Sequence, residues 1–221
     1  MKILVGIPLE RNVHSEAFLC FWEIARQGWH IIHHGYGRTD ANRNEMARTF
    51  LESDATHLVM LDDDHLHPPD IVQRLARWAL KDTAKYEVVG GLNFKRGEPY
   101  FPCMFAKVGG DYRWPVEWPR AMGKVDALGH GAIMIARTAL ERLTPPFWKY
   151  EYLPWGDRDY ISEDMYFCKQ CEAAGIALWC DTTITSPHIT DRFIDEKDYR
   201  AYLAAHPPTE VIEVDALLEA V

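Results

Sequence analysis

The sequence lacks both of the common glycine-rich phosphate loops. Its first apolar run leads into Gly6-Ile7-Pro8-Leu9-Glu10-Arg11 instead of G-x-G-x-x-G. Without those glycines the backbone cannot approach a dinucleotide pyrophosphate in the usual way, which argues against a Rossmann dehydrogenase. G-x-x-x-x-G-K-[ST] is also missing, which argues against a P-loop NTPase. No apolar run reaches membrane-spanning length: MKILVGIPLE is interrupted at Gly6 and Pro8, too soon for a signal h-region or a span. Cysteine is scarce and odd in number, five without regular spacing, which fits reduced thiols better than a disulfide framework. Positive charge is short as well. Lys and Arg number 24 against 33 Asp and Glu, so the formal charge of −9 gives no overall pull toward nucleic acid or anionic membrane, although a local basic cleft stays compatible with it. Neither an internal repeat, a low-complexity tract nor a clean linker interrupts the chain. These absences describe a soluble protein, and a cytoplasmic location is expected.

What is present is globular: 48% of 221 residues are hydrophobic and 26% charged, which sets aside disordered, collagen-like and coiled-coil classes. A chain of this length buries roughly 70% of the surface its unfolded form exposes, so it needs no metal or disulfide staple. A metal bound here is therefore expected to be functional. Apolar runs at Lys2–Pro8, Trp29–His34, His57–Leu61 and Glu87–Gly91 read as strands, and Ser15–Gln27 and Asp40–Ser53 as helices. After Pro68-Pro69, the apolar positions Ile71, Val72, Leu75, Trp78 and Ala79 mark one face of a further helix. This alternation predicts an α/β fold with a doubly wound, mostly parallel, Rossmann-like sheet, whose ligands bind at the C-terminal ends of the strands. Residues 1–92 form its nucleotide-binding half. Residues 93–205 are more mixed, with strand candidates at Tyr100–Lys107 and Val125–Ala136 and a helix over Glu163–Ala174. We expect 1–205 to be one domain, followed by a tail over 206–221.

The strongest chemical feature is Asp62-Asp63-Asp64, directly after the third strand. In an extended segment residues two apart share a face, so Asp62 and Asp64 would project together and Asp63 away. Two carboxylates held close need compensation, and a hard divalent ion shared with substrate phosphates supplies it. A solvated acidic turn leading into the following helix would carry the same residues.

The triplet resembles the D-x-D motif of GT-A fold glycosyltransferases that use nucleotide sugars, and the resemblance extends over roughly residues 1–190. Asn42-Arg43-Asn44 opens a helix leading to Ser53-Asp54-Ala55-Thr56-His57, similar to small bacterial and phage members. Leu128-Gly129-His130-Gly131-Ala132-Ile133 is similar to their small-residue strand beside the donor sugar. Ser162-Glu163-Asp164 followed by Phe167 and Ala174-Gly175 resembles their acidic-pair helix, and Pro187-His188 lies where many members place a metal-binding histidine. Pro8-Leu9-Glu10 departs from the usual end of the first strand, and the chain leaves little room for an acceptor domain.

The resemblance implies a glycosyltransferase that moves a sugar from a UDP- or GDP-sugar to a hydroxyl acceptor, with Mn²⁺ or Mg²⁺. Asp64 and His188 would hold the ion, and Asp62 would meet the ion or the ribose. Pro8, Glu10, Arg43, Asp63 and His130 would line the donor, with Arg43 offering its fork to the diphosphate. Asp164 would act as general base with Glu163 as its orienting neighbour, although acids also suit a helix start without doing chemistry. Trp155, in the aromatic stretch Pro145–Gly156, would stack on the acceptor, although aromatics there also serve ordinary packing. The acceptor class stays open among glycans, lipid-linked glycans, proteins and small molecules, with nucleic acid disfavoured by charge.

Four alternatives compete with this assignment. A nucleotidyltransferase on a related fold also pairs acids with Mg²⁺, and a catalytically silent sugar-nucleotide or glycan-binding domain could keep the same residues. His65, His67, Asp70 and His188 loosely resemble a metallohydrolase set, and Cys168, Cys171, Cys180 and His188 could compose a zinc site. The face assignment makes one direct prediction: Asp64→Ala abolishes Mn²⁺-assisted nucleotide-sugar binding in calorimetry, whereas Asp63→Ala leaves most of it.

Overall fold

The computed structural model describes residues 1–9, 12–152, 160–190 and 193–208. Its first half alternates β1 (Ile3–Leu9), α1 (Ser15–Ala25), β2 (His30–Gly35), α2 (Thr39–Glu52), β3 (His57–Leu61), α3 (Ile71–Lys81) and β4 (Val88–Leu92). The second half contributes β5 (Met104–Val108), β6 (Asp111–Arg113), β7 (Met122–Val125), β8 (Ala127–Leu128), β9 (Ala132–Ala136) and α4 (Arg137–Arg142). It continues with β10 (Glu151–Tyr152), β11 (Tyr160–Ile161), α5 (Glu163–Ala173), β12 (Leu178–Thr185) and α6 (Glu196–Ala205).

Seven strands form the main sheet in the order β2-β1-β3-β9-β4-β12-β7. β2, β1, β3, β4 and β12 run one way, and β9 and β7 run the other. This is the doubly wound, mostly parallel α/β architecture expected from the alternating pattern. Helices cover both faces, which explains why β3 reads as the unbroken apolar run HLVML. Leu58 and Met60 pack with Met46 and Phe50 of α2 and Phe167 of α5. Val59 and Leu61 point the other way, toward Phe21 and Ile24 of α1 and Ile71 and Leu75 of α3. The face of α3 expected from its spacing is the buried one: Ile71, Val72, Leu75 and Ala79 are all buried.

Two second-half expectations are corrected. Val125–Ala136 is three strands, because the chain leaves the main sheet after Val125 and pairs with β5 through Met104↔Leu128 and Phe105↔Ala127. Backbone bonds from Asp126 to Phe105 (2.9 Å) and from Gly129 to Cys103 (2.7 Å) hold that excursion before β9 re-enters. The strand expected at Tyr100 starts only at Met104, since Pro99 and Pro102 have no N–H to donate. α6, whose Asp195 and Asp198 form a capping box, was not expected from the sequence.

The insertion of β9 positions the site. Because β9 is antiparallel to β3, its first residue, Ala132, lies beside the last residue of β3, Leu61. The Gly129-His130-Gly131 segment therefore meets the acidic triplet, and the Asp62 N–H donates to the Gly131 carbonyl at 2.9 Å. The centre of the sheet is equally tight. A Cβ at Gly90 would stand 2.1 Å from Leu128 Cδ1 and 3.4 Å from the Ala132 carbonyl oxygen. Gly90→Ala is expected to cost about 1–3 kcal/mol in a denaturant titration, the usual range for overpacking a filled core.

Candidate active site

A cleft of about 1300 Å³ opens at the C-terminal ends of β1, β3 and β4, and Pro8, Asp62, Asp63, Asp64, Glu163, Asp164 and His188 line it. Its floor is built around Arg43. α2 carries this side chain beneath the end of β3, where it is 1% exposed. One terminal nitrogen grips both oxygens of Asp62, at 2.8 and 2.9 Å. The other donates to Glu163 at 3.0 Å and to Asp164 in a still shorter contact. Arg43, expected to meet a diphosphate, thus lines the cleft with both terminal nitrogens engaged by carboxylates.

One guanidinium faces three acids, and two of them, Glu163 and Asp164, are shifted upward chiefly by burial. Burial pushes Glu163 up to about 7, helped by repulsion from Asp164 and opposed by Arg43. Burial also raises Asp164, against the pull of Arg43. Ser162 caps α5 by accepting from the Met165 N–H, which fixes where the acidic pair enters the cleft. The Tyr150 hydroxyl bonds Glu163. His130 is fully buried and does not line the cleft, contrary to the expected donor contact. Its backbone N–H donates to Asp164 Oδ2 at 3.1 Å, and its ring accepts the Trp148 indole N–H at 2.9 Å. Burial, then Arg43, holds this imidazole well below the usual histidine range, so it stays neutral.

The strand ends at Leu61, and Asp62 to Asp64 turn instead of remaining extended. The shared-face assumption therefore fails: Asp62 goes to Arg43, and Asp64 joins a separate group with His65 and His188. Asp63 is also buried, at 5% exposure, yet it too lines the cleft. Main-chain bonds hold the second group together, from Leu66 to Pro187 (2.8 Å) and from Ile189 to Asp64 (2.7 Å). Ligand atoms of Asp64, His65 and His188 all lie within 4.8 Å of one another, the one such group among the described residues.

Hydrogen bonding sets the tautomers in this group. His188 Nδ1 lies 2.8 Å from the Phe94 carbonyl, which can only accept, so Nδ1 carries the proton. Its Nε2 lone pair then faces Asp64 Oδ2 at 3.1 Å, an arrangement that needs a cation between them, whether a proton on Nε2 or a metal ion. His65 Nδ1 donates to Asp64 Oδ1 at 2.7 Å, and its Nε2 accepts from the Asn93 amide at 3.4 Å. Burial opposes the charge of Asp64, but His188 and His65 outweigh it and hold the carboxyl well below the usual range. Gly131 leaves room for this ring, because a Cβ there would stand 2.8 Å from His65 Nε2.

The rival metal sets do not assemble among the described residues. His67 donates Nε2–H to the Asp62 carbonyl at 2.9 Å and accepts from the Ser186 hydroxyl at 3.0 Å, and burial lowers it to about 3. It braces the turn after β3. Asp70 is exposed at the start of α3, and Cys168, Cys171 and Cys180 are buried free thiols. Two expected contacts, Glu10 and Trp155, lie outside the described residues, as does the tail from 209. Sequence reasoning missed Asn93 and Arg96, which no motif marks, and reached Tyr150 only as part of the aromatic stretch 145–156. It found His65 only as part of the hydrolase set.

No family model matches the chain, and no curated protein matches it. Solved structures do. A197 from STIV is similar over 86% of this chain and 87% of its own, with a TM-score of 0.60 and 20% identity. CMP:2-keto-3-deoxy-manno-octonic acid synthetase, solved in complex with CTP, is similar over 93% of this chain and 99% of its own, with a TM-score of 0.50 and 15% identity. These likenesses are of fold. They show a Rossmann-like α/β architecture for this chain. No helix among the described residues is long and apolar enough to cross a membrane.

Removing Arg43 leaves three buried carboxylates uncompensated. Arg43→Met is expected to lose about 3–5 kcal/mol of unfolding free energy at pH 8. The loss shrinks at pH 5, where the acids, freed of the guanidinium, take up protons in the native state. Denaturant titrations at the two pH values check both the size and the sign.

Proposed function

We propose that this protein is a metal-dependent glycosyltransferase that moves a sugar from a nucleotide-diphosphate sugar, UDP- or GDP-linked, to a hydroxyl acceptor. The observation that carries this reading is the pairing, in one cleft, of a cation-seeking Asp64–His188 contact with the Arg43-held carboxylates of Asp62, Glu163 and Asp164. Asp64 and His188 would hold the divalent ion, with His65 keeping the Asp64 carboxylate in place. An imidazole beside a carboxylate suits Mn²⁺ better than Mg²⁺, which prefers oxygen ligands and water. Bound there, the ion supplies Lewis-acid neutralisation of the departing diphosphate.

The remaining tasks fall to the chain itself. Pro8 borders the nucleotide end of the cleft, and Asp62, immobilised by Arg43, faces the ribose. Asp164 receives the proton of the attacking acceptor hydroxyl. Its side chain is 22% exposed against 9% for Glu163, so it is the more open of the pair to an acceptor. The Arg43 guanidinium and the His130 N–H keep its carboxylate aimed, and Glu163, tied to Tyr150, orients the same guanidinium. A glycan, lipid-linked glycan, protein or small-molecule hydroxyl would enter on this side.

A nucleotidyltransferase reading is favoured by the likeness to the synthetase solved with CTP. One experiment separates the two: thermal unfolding with Mn²⁺ and, in turn, UDP-glucose, UDP-galactose, UDP-N-acetylglucosamine, GDP-mannose and CTP, with product release followed in parallel. Ligand at 100 times its Kd adds about 2.7 kcal/mol, so the donor should stand out. Slow release of UDP or GDP is expected, and Asp164→Asn should retain binding while losing about 100-fold or more in release rate. Consumption of CTP with pyrophosphate release would replace this reading by the alternative.

A further inference from the structure

Arg96 lies outside every motif in the sequence, yet it touches the centre of the cleft. Its guanidinium stands 3.1 Å from Asp64 Oδ2, the oxygen that His188 Nε2 also faces at 3.1 Å. A positive group therefore already sits beside the carboxylate oxygen that His188 faces. The side chain of Arg96 is 53% exposed, and Asp64 is the ion-pair partner it finds among the described residues. The loop that carries it is fastened at its root: Phe94 bridges Pro102, the Lys95 N–H donates to the Phe101 carbonyl at 3.0 Å, and that of Cys103 to Asn93 at 2.8 Å. Arg96 can thus leave Asp64 by a change of rotamer, with the loop in place.

Two other arginines line the cleft among the described residues, and both are engaged away from Asp64. Arg43 serves three carboxylates, and Arg38 pairs with Asp40 at 3.3 Å and stacks on the Tyr150 ring. Among the described residues Arg96 is the cleft arginine that reaches Asp64 with a half-exposed fork, and such a fork matches phosphate oxygens two at a time. A divalent ion and a guanidinium cannot share Asp64 Oδ2 without strong like-charge repulsion.

We propose that Arg96 is a two-position residue: without metal it is the counter-cation of Asp64, and once a divalent ion takes that oxygen it turns to clamp the diphosphate of the incoming nucleotide. The inference rests on the glycosyltransferase reading only in taking the ligand to be a metal-bound diphosphate. It makes the protein admit metal and nucleotide together, because each relieves a charge the other leaves unpaired. It also gives Arg96→Ala effects of opposite sign on two ligands, which loss of a merely structural contact would not do.

The test is calorimetry on the full chain with MnCl₂ alone, then with UDP or GDP at saturating Mn²⁺, for the native protein, Arg96→Ala, Arg96→Lys and Asp64→Ala. Arg96→Ala should bind Mn²⁺ about threefold or more tighter, as removal of a competing half-exposed ion pair requires. The same variant should bind the nucleoside diphosphate about tenfold more weakly, the scale of a lost charged fork. Arg96→Lys should fall between on both, and Asp64→Ala should lose Mn²⁺ binding. Mn²⁺ affinity unchanged or weakened in Arg96→Ala, or diphosphate affinity unchanged, overturns the inference while leaving the proposed function standing. Undiminished Mn²⁺ binding by Asp64→Ala overturns it as well. A native protein that binds neither Mn²⁺ nor either diphosphate overturns both.

Discussion

The buried guanidinium of Arg43 is the contact on which the cleft depends. It comes from α2 in the first half of the chain and reaches one acid after β3 and two at the start of α5, more than a hundred residues away. Desolvating such a charge is costly, and its attraction to carboxylates must offset that cost. Three acids oversupply the compensation. Burial raises Glu163 and Asp164, the neighbouring acids add to it, and the surplus negative charge favours further cations in the cleft. The same fork that holds the two halves together therefore also sets the electrostatics of the pocket between them.

The second constraint is topological. An antiparallel strand placed between β3 and β4 returns small residues to the C-terminal edge of the sheet, where the acids emerge. Gly129 and Gly131 leave that edge open, and the His65 ring lies against Gly131. A bulkier residue at 131 would push aside His65, and through it Asp64, and one at 129 would meet Cys103. The zipper between residues 64–66 and 187–189 then brings His188 from the end of β12 to the same carboxylate. The sheet thus delivers two carboxylate positions side by side, one paired with Arg43 and one with Arg96.

Much of this was legible beforehand. The α/β alternation, the covered strand β3, the apolar face of α3 and the acidic start of α5 all follow from local periodicity and end signals, and each matches an observed element within a few residues. The aspartate triplet and His188 were found as chemistry-bearing residues, and the structure brings Asp64 and His188 into contact. Less legible were the excursion of residues 126–131 into the small sheet, the turn of Asp62 to Asp64, and the burial of Arg43 and His130. Each depends on a partner distant in sequence. Arg43 resembles a surface helix arginine until α5 packs beneath it, and Arg96 resembles any loop arginine until β4 and β12 set it opposite Asp64.

The sequence by itself determined which segments are helix or strand, which faces are apolar and which acids stand at strand and helix ends, because these depend on neighbours within a few residues. Only the tertiary structure decided how the charges are shared out: which carboxylates Arg43 holds, which imidazole nitrogen faces Asp64, and which arginine pairs with that carboxylate. Those outcomes follow from distances and desolvation between segments far apart along the chain, and no local pattern encodes them.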